Sequence, residues 1–93
     1  MAVVIGRDAR RAERKTQLGP AFGDRTEAAL DVFGLMDLAW HDCYGEVAPP
    51  AGVVEDVLLL AAGDLEALVR HAHLAVIDVR DVRVAADAKR SQA

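Results

Sequence analysis

Apolar residues recur at every third or fourth position in two long segments of this chain, which is the spacing that places side chains on one face of an α-helix. The first series is Ala29, Phe33, Met36, Trp40, Cys43 and Val47. The second series is Leu65, Leu68, Ala72, Ala75, Val79, Val82 and Ala86. Because each apolar face has to be buried against another element, the two series predict helices that pack against each other.

Capping and turn residues predict where these helices begin and end. Asp24, with Glu27 three positions later, has the spacing of a capping box, and Gly45 ends the same helix. Gly63 followed by Asp64 combines a helix stop with a new N-cap. The predicted helices span residues 24–45, 51–62 and 64–88, with a weaker helix over residues 7–17.

These segments predict an all-α fold, an antiparallel helical bundle with two long helices and one or two shorter ones. A basic N-terminal arm or short helix (1–23) would precede a helical domain (24–90). The apolar fraction of 53% is high for 93 residues, because so short a chain buries only about two-thirds of its unfolded surface. We therefore expect a homodimer with twofold symmetry that completes the bundle. The residues expected at its interface are Phe33, Met36, Trp40 and Leu59.

Two segments also permit an extended conformation. Residues Val76–Val84 are rich in β-branched side chains, which suit a strand. Neither of the two alternating faces of that strand would be uniformly apolar, whereas the helical series continues through it without a break. The helix is therefore favoured there, while Ala2–Ile5 could form a short strand or a disordered tail.

Charge is distributed unevenly along the chain. The net charge is −4, but residues 1–17 hold five cations against Asp8 and Glu13, which is +3 and leaves −7 for the remainder. A basic segment of this kind can bind nucleic acid or an acidic protein surface. It contains no aromatic side chain that could stack on bases, which favours a protein partner. The candidate residues are Arg7, Arg10, Arg11, Arg14 and Lys15.

The segment from residue 40 to residue 46 concentrates side chains with metal-binding chemistry. His41 lies four residues after Asp37 on the predicted helix, so the carboxylate could orient the imidazole, and Glu46 adds a further oxygen ligand. These three residues are weak candidates for a metal or ligand site. Asp37 and His41 fall outside the apolar sector of the helix, and we assign no metal and no cofactor.

Three further side chains are less suited to chemistry. His71 and His73 would share a metal on a strand, but on a helix they point about 200° apart. Cys43, the single cysteine, falls in the apolar series and is expected to be a packed, inert thiol.

No phosphate-binding loop, nucleophile elbow or zinc-protease motif occurs, so an enzyme is not expected. We predict a non-enzymatic protein-interaction module, acting as a regulatory or accessory subunit. A small metal- or ligand-binding protein and a nucleic-acid-binding protein are the alternatives.

The hydropathy pattern bears on location. The longest apolar run, Val57–Ala62, has six residues, whereas a membrane helix needs about 20. The first residues also lack the charged region of a secretory signal, so we expect a cytoplasmic protein without membrane contact. The absence of asparagine and the presence of only two lysines are typical of a GC-rich bacterial genome.

Overall fold

The computed structural model describes the backbone of residues 2–92 and their side chains, except those of residues 2–5 and 7. The described residues form five α-helices joined by short turns, without a strand. The helices are α1 (Ala2–Leu18), α2 (Thr26–Tyr44), α3 (Ala51–Ala61), α4 (Leu65–Ile77) and α5 (Val79–Ser91). The predicted all-α fold is confirmed. None of these helices is both long enough and apolar enough to cross a bilayer.

Helix α4 occupies the centre of the packing, where it contacts α2, α3 and α5. Helix α5 also packs on α3, whereas α1 packs mainly on α2. The largest fully buried side chains are contributed by α2, α3, α4 and α5 in turn: Phe33, Val57, Leu68 and Val82. The apolar series seen in the sequence therefore meet in one core.

The helix ends follow the predicted turn chemistry at three places. Gly45 adopts the left-handed conformation (φ 74°) and donates its N–H to the carbonyl of His41. Asp64 caps α4 by accepting a 2.9 Å hydrogen bond from the N–H of Ala67. Gly63 has φ of 80°, and a Cβ at this position would lie 2.7 Å from the carbonyl oxygen of Ala21. Only glycine fits this approach of the α3–α4 turn to the α1–α2 connection.

The predicted capping box at Asp24 is wrong. Residues Gly23–Arg25 form a single 3-10 turn, and α2 begins at Thr26 without a side-chain cap. Instead, the hydroxyl of Thr26 donates a 2.8 Å hydrogen bond to the carbonyl of Gly23. A local 3-10 turn meets the hydrogen-bonding needs of the chain here, so Asp24 is not required as a cap.

The single helix predicted over residues 64–88 is also wrong, because it is divided at Asp78. That residue leaves the helical region (φ −156°, ψ 86°), and its carboxylate accepts from the N–H of Asp81 at the start of α5. The apolar series did not reveal the break, because α4 and α5 bury their faces in the same core. Residues on both sides of Asp78 are helical, so the strand alternative for Val76–Val84 is contradicted. Residues Ala2–Ile5 belong to α1 and form neither a strand nor a tail.

Three of the residues expected at a dimer interface are buried within the single chain. Phe33, Met36 and Trp40 are 0%, 3% and 4% exposed. The reason is that α2 packs on α4 and on α1, so the chain covers this face of α2 with its own helices. Leu59 is half-buried, and its carbonyl accepts a hydrogen bond from Lys89. A dimer would have to use another surface.

A buried carboxylate joins α3 to α5. The side chain of Asp56 is 3% exposed, and it contacts Arg90 at 2.6 Å and Arg83 at 3.6 Å. The hydrogen bond with Asp56 raises the pKa of Arg90 above its ordinary value. The two arginines compensate the buried charge, which would otherwise be costly.

Candidate interaction site on helices α1 and α2

The basic residues of α1 lie against the acidic face of α2. Asp37 accepts from Nε of Arg10 at 3.2 Å and from Nη2 of Arg14 at 3.0 Å. The Arg14 side chain is only 8% exposed, and its guanidinium stands over the ring of Phe33, 5.1 Å from the centroid. This cluster holds α1 and α2 together at the middle of their contact.

A second group of ion pairs lies at the solvent-exposed edge of the same contact. Arg11 contacts Glu27 at 3.0 Å and Asp31 at 3.2 Å, and Nζ of Lys15 lies 4.0 Å from Glu27. The hydrogen bond with Glu27 is the main reason why the pKa of Arg11 is raised. Exposed ion pairs of this kind add little stability. They match basic side chains of α1 to carboxylates of α2, which favours one alignment of the two helices.

Four of the five predicted partner-binding cations therefore pair with carboxylates of their own chain, and the side chain of Arg7 lies outside the described residues. The acidic surface that these basic residues contact in the structure is α2 of the same molecule. The acidic positions of α2 already formed one face in the sequence, so matching that face to the arm could have revealed the contact.

The three weak metal candidates are engaged separately. Both oxygens of Asp37 are taken by arginines, and Glu46 accepts a 2.9 Å hydrogen bond from the indole N–H of Trp40. Nδ1 of His41 lies 3.2 Å from the backbone carbonyl of Glu46. Among the described residues, no group of three or more His, Cys, Asp or Glu side chains is placed to hold a metal ion.

Cys43 is exposed, which corrects the expectation of a packed thiol. Trp40 is buried, but the last turn of α2 extends beyond the core and its residues are exposed, with Tyr44 at 46%. The two rings lie 4.4 Å apart, and the Tyr44 hydroxyl donates to the carbonyl of Val76 at 2.8 Å. The apolar series alone could not show that the core ends before Cys43.

The two histidines of α4 have different surroundings. His73 is exposed, whereas His71 is half-buried, and its Nδ1 has no hydrogen-bond partner among the described residues. Burial is the largest cause of a lowered pKa for His71, and the charges of Arg70 and Lys89 act in the same direction. This environment disfavours the protonated imidazole.

The sequence did not single out the open groove between the N-terminal half of α1 and the outer face of α2. This α1/α2 groove has a volume of about 870 Å³, and three exposed apolar side chains contribute to its lining: Leu35, Leu38 and Val47. Gly6 of α1 and Gly34 of α2 also line it, and a Cβ at either glycine would meet nothing within 4 Å. Its polar lining includes Arg10, Arg11, Asp31, Asp37 and His41.

The exposure of the three apolar side chains distinguishes this surface. Leu35, Leu38 and Val47 are 67%, 58% and 69% exposed, although they lie around one concavity. Single exposed leucines are ordinary on a protein surface, but several grouped in a groove mark a place where another molecule binds.

Comparison of the chain with protein-family models, with curated proteins and with solved structures gives no significant match.

Proposed function

We propose that the protein is a non-enzymatic interaction module that binds another protein through the α1/α2 groove and acts as a regulatory or accessory subunit. The observation that carries the proposal is the grouping of Leu35, Leu38 and Val47, each more than half exposed, around one groove. Burial of apolar surface is the dominant favourable term in most protein association. An apolar groove with polar edges therefore suits a protein partner.

The surroundings of the groove favour binding over catalysis. Its carboxylate Asp37 is held by two arginines, and Arg11 is held by two carboxylates. Groups engaged in this way are poor candidates for proton transfer or nucleophilic attack, which need a side chain aimed at the substrate. The same ion pairs occupy the cations that a nucleic-acid phosphate would require.

Site-specific photo-crosslinking in the cells that naturally make the protein tests the proposal. A benzoyl-phenylalanine at position 38 is expected to form a defined protein adduct, because that side chain would lie in the interface. Position 84 on α5 serves as the matched control, since Val84 is 68% exposed and does not line the groove. An adduct from position 38 that exceeds the control supports the proposal, and equal or absent adducts from both positions contradict it.

A further inference from the structure

We infer that the occupant of the α1/α2 groove is a second copy of this chain, so that two α1–α2 pairs pack against each other about a twofold axis. This inference rests on the proposed function and names the partner. It places the dimer contact on the outer face of α2 and leaves Phe33, Met36 and Trp40 in the core of each protomer.

The solvent-accessible surface of the chain is larger than expected for a compact monomer of its mass, which supports a contact with another molecule. A compact monomer of 10.0 kDa exposes about 5,200 Å². The chain exposes 5874 Å², and its shortest dimension is 18 Å, which leaves room for at most two layers of helices. The excess of roughly 600 Å² approaches the ~800 Å² that each partner buries in a standard interface. The surface left uncovered by one chain is thus of the size that one dimer contact would remove.

The packing of α1 shows where that contact can form. Because α1 packs mainly on α2, the two helices form a layer whose outer groove is not covered by α3, α4 or α5. Gly6 and Gly34 leave open space on the two walls of the groove. Small residues at such positions let a helix of another molecule approach closely, since the side chains at a contact set the distance between helix axes. A pair of helices facing a second pair is the arrangement of a four-helix bundle.

The charges along the groove favour a second copy over a foreign partner. A twofold contact uses the same surface on both sides, so that surface has to be complementary to itself. Arg10 and Arg11 on the α1 side of the groove pair with Asp37 and Asp31 on the α2 side within the same chain, so the charges of these four residues are balanced. Two copies can therefore face each other without repulsion between like charges. A partner of predominantly one charge would find no unpaired group of the opposite charge among these four residues.

Sedimentation equilibrium of the full chain tests the inference. Wild type is expected to sediment as a dimer of the 10.0 kDa chain. Leu38→Glu is expected to raise the dimer dissociation constant about 100-fold, because it brings a charge into the apolar contact. The matched control Val84→Glu adds the same charge at an equally exposed valine of α5 and is expected to leave the dimer intact.

A second variant separates loss of pairing from loss of folding. Gly34→Gln fills the open wall of the groove, its Cβ meets no atom within 4 Å, and it places a better helix former in α2. We expect it to abolish the dimer while the melting temperature of the diluted monomer is unchanged or higher. A dimer that persists in both Leu38→Glu and Gly34→Gln would overturn the inference, because the copies would then meet elsewhere.

A monomeric wild type at about 100 µM would also overturn the inference. The crosslinking experiment distinguishes the two proposals. An adduct of position 38 with a second copy of the chain supports both, whereas an adduct with a different protein leaves the proposed function standing without the dimer.

Discussion

Arg14 and Asp37 form the least exposed ion pair between α1 and α2, with Nη2 3.0 Å from Oδ1 and side chains that are 8% and 13% exposed. Asp37 also accepts from Arg10, so one carboxylate joins two arginines of α1 to α2. The arrangement explains how a helix with few apolar residues in its middle is held in place. The charges that make α1 appear as a free arm in the sequence are the ones that attach it.

Removal of the Asp37 carboxylate should lower the free energy of unfolding substantially. Asp37→Ala leaves Arg14 nearly buried without its partner, and we expect a loss of about 3 kcal/mol in the free energy of unfolding. Asp31→Ala is the matched control on the same helix, because its carboxylate is 72% exposed and pairs with Arg11 at the edge. Urea unfolding should show a large shift for the first variant and little for the second. Equal shifts would mean that burial of the Arg14–Asp37 pair is unimportant.

The turn between α3 and α4 should not tolerate a side chain at Gly63. Gly63→Ala introduces a Cβ 2.7 Å from the Ala21 carbonyl oxygen at φ of 80°. We expect a loss of about 2 kcal/mol or more in the free energy of unfolding. Gly52→Ala is the control, since its Cβ would meet only the side-chain Nη1 of Arg83 at 3.8 Å. Thermal unfolding of the control should match or exceed wild type, and a similar loss in both would contradict the steric explanation.

Stability should depend on pH through His71. Burial and the charges of Arg70 and Lys89 lower its pKa below the ordinary value of 6.5, so the unfolded chain binds a proton more readily than the folded one. The contribution of His71 is therefore complete above about pH 6.5 and is lost as the pH falls toward the lowered pKa.

The variant His71→Leu removes this titration. Between about pH 7.5 and about pH 5, wild type should lose more unfolding free energy than the variant does. Urea titrations of the two proteins at both pH values measure the difference. Parallel losses in the two proteins would show that His71 is not the group responsible.

The thiol of Cys43 should react readily in the folded protein. It is exposed on α2, so access should not limit its modification by Ellman's reagent. We expect a native rate within about tenfold of the rate in denaturant, because the thiol has no cover to remove. Since the chain has one cysteine, the signal reports this site alone. A native rate far below that range would contradict the exposure of Cys43 and would agree with the packed thiol that the apolar series predicted.

The class of fold could be derived from the sequence because periodic apolar residues specify helices directly. Gly45 and Asp64 also marked helix ends correctly, since a left-handed cap and an N-cap depend on local chemistry. Asp78 escaped detection because the residues on either side of it continue the same apolar spacing. A helix break that keeps the same side chains buried does not alter the spacing of the apolar residues.

The candidate site was harder to derive, because it depends on which helices face each other. Leu35 and Leu38 are not members of the apolar series, and only the packing of α1 on α2 shows that they line one groove with Val47. Leu59 was expected at an interface, yet it is half-buried. The ion pairs of Asp37 join residues 23 and 27 positions apart, so they could be anticipated only by matching the basic arm to the acidic face of α2 and not from any local spacing.

The turn at Asp78 has a consequence for the far end of the chain. Without it, α4 and α5 would continue as a straight rod, and Arg90 would be carried away from α3. With it, α5 packs on α3, and Arg90 of α5 contacts Asp56 of α3 at 2.6 Å. A shortened protein that stops at residue 77 would keep the first four helices, yet it would lose both arginines that pair with Asp56 and the buried side chains of Val82 and Ala86.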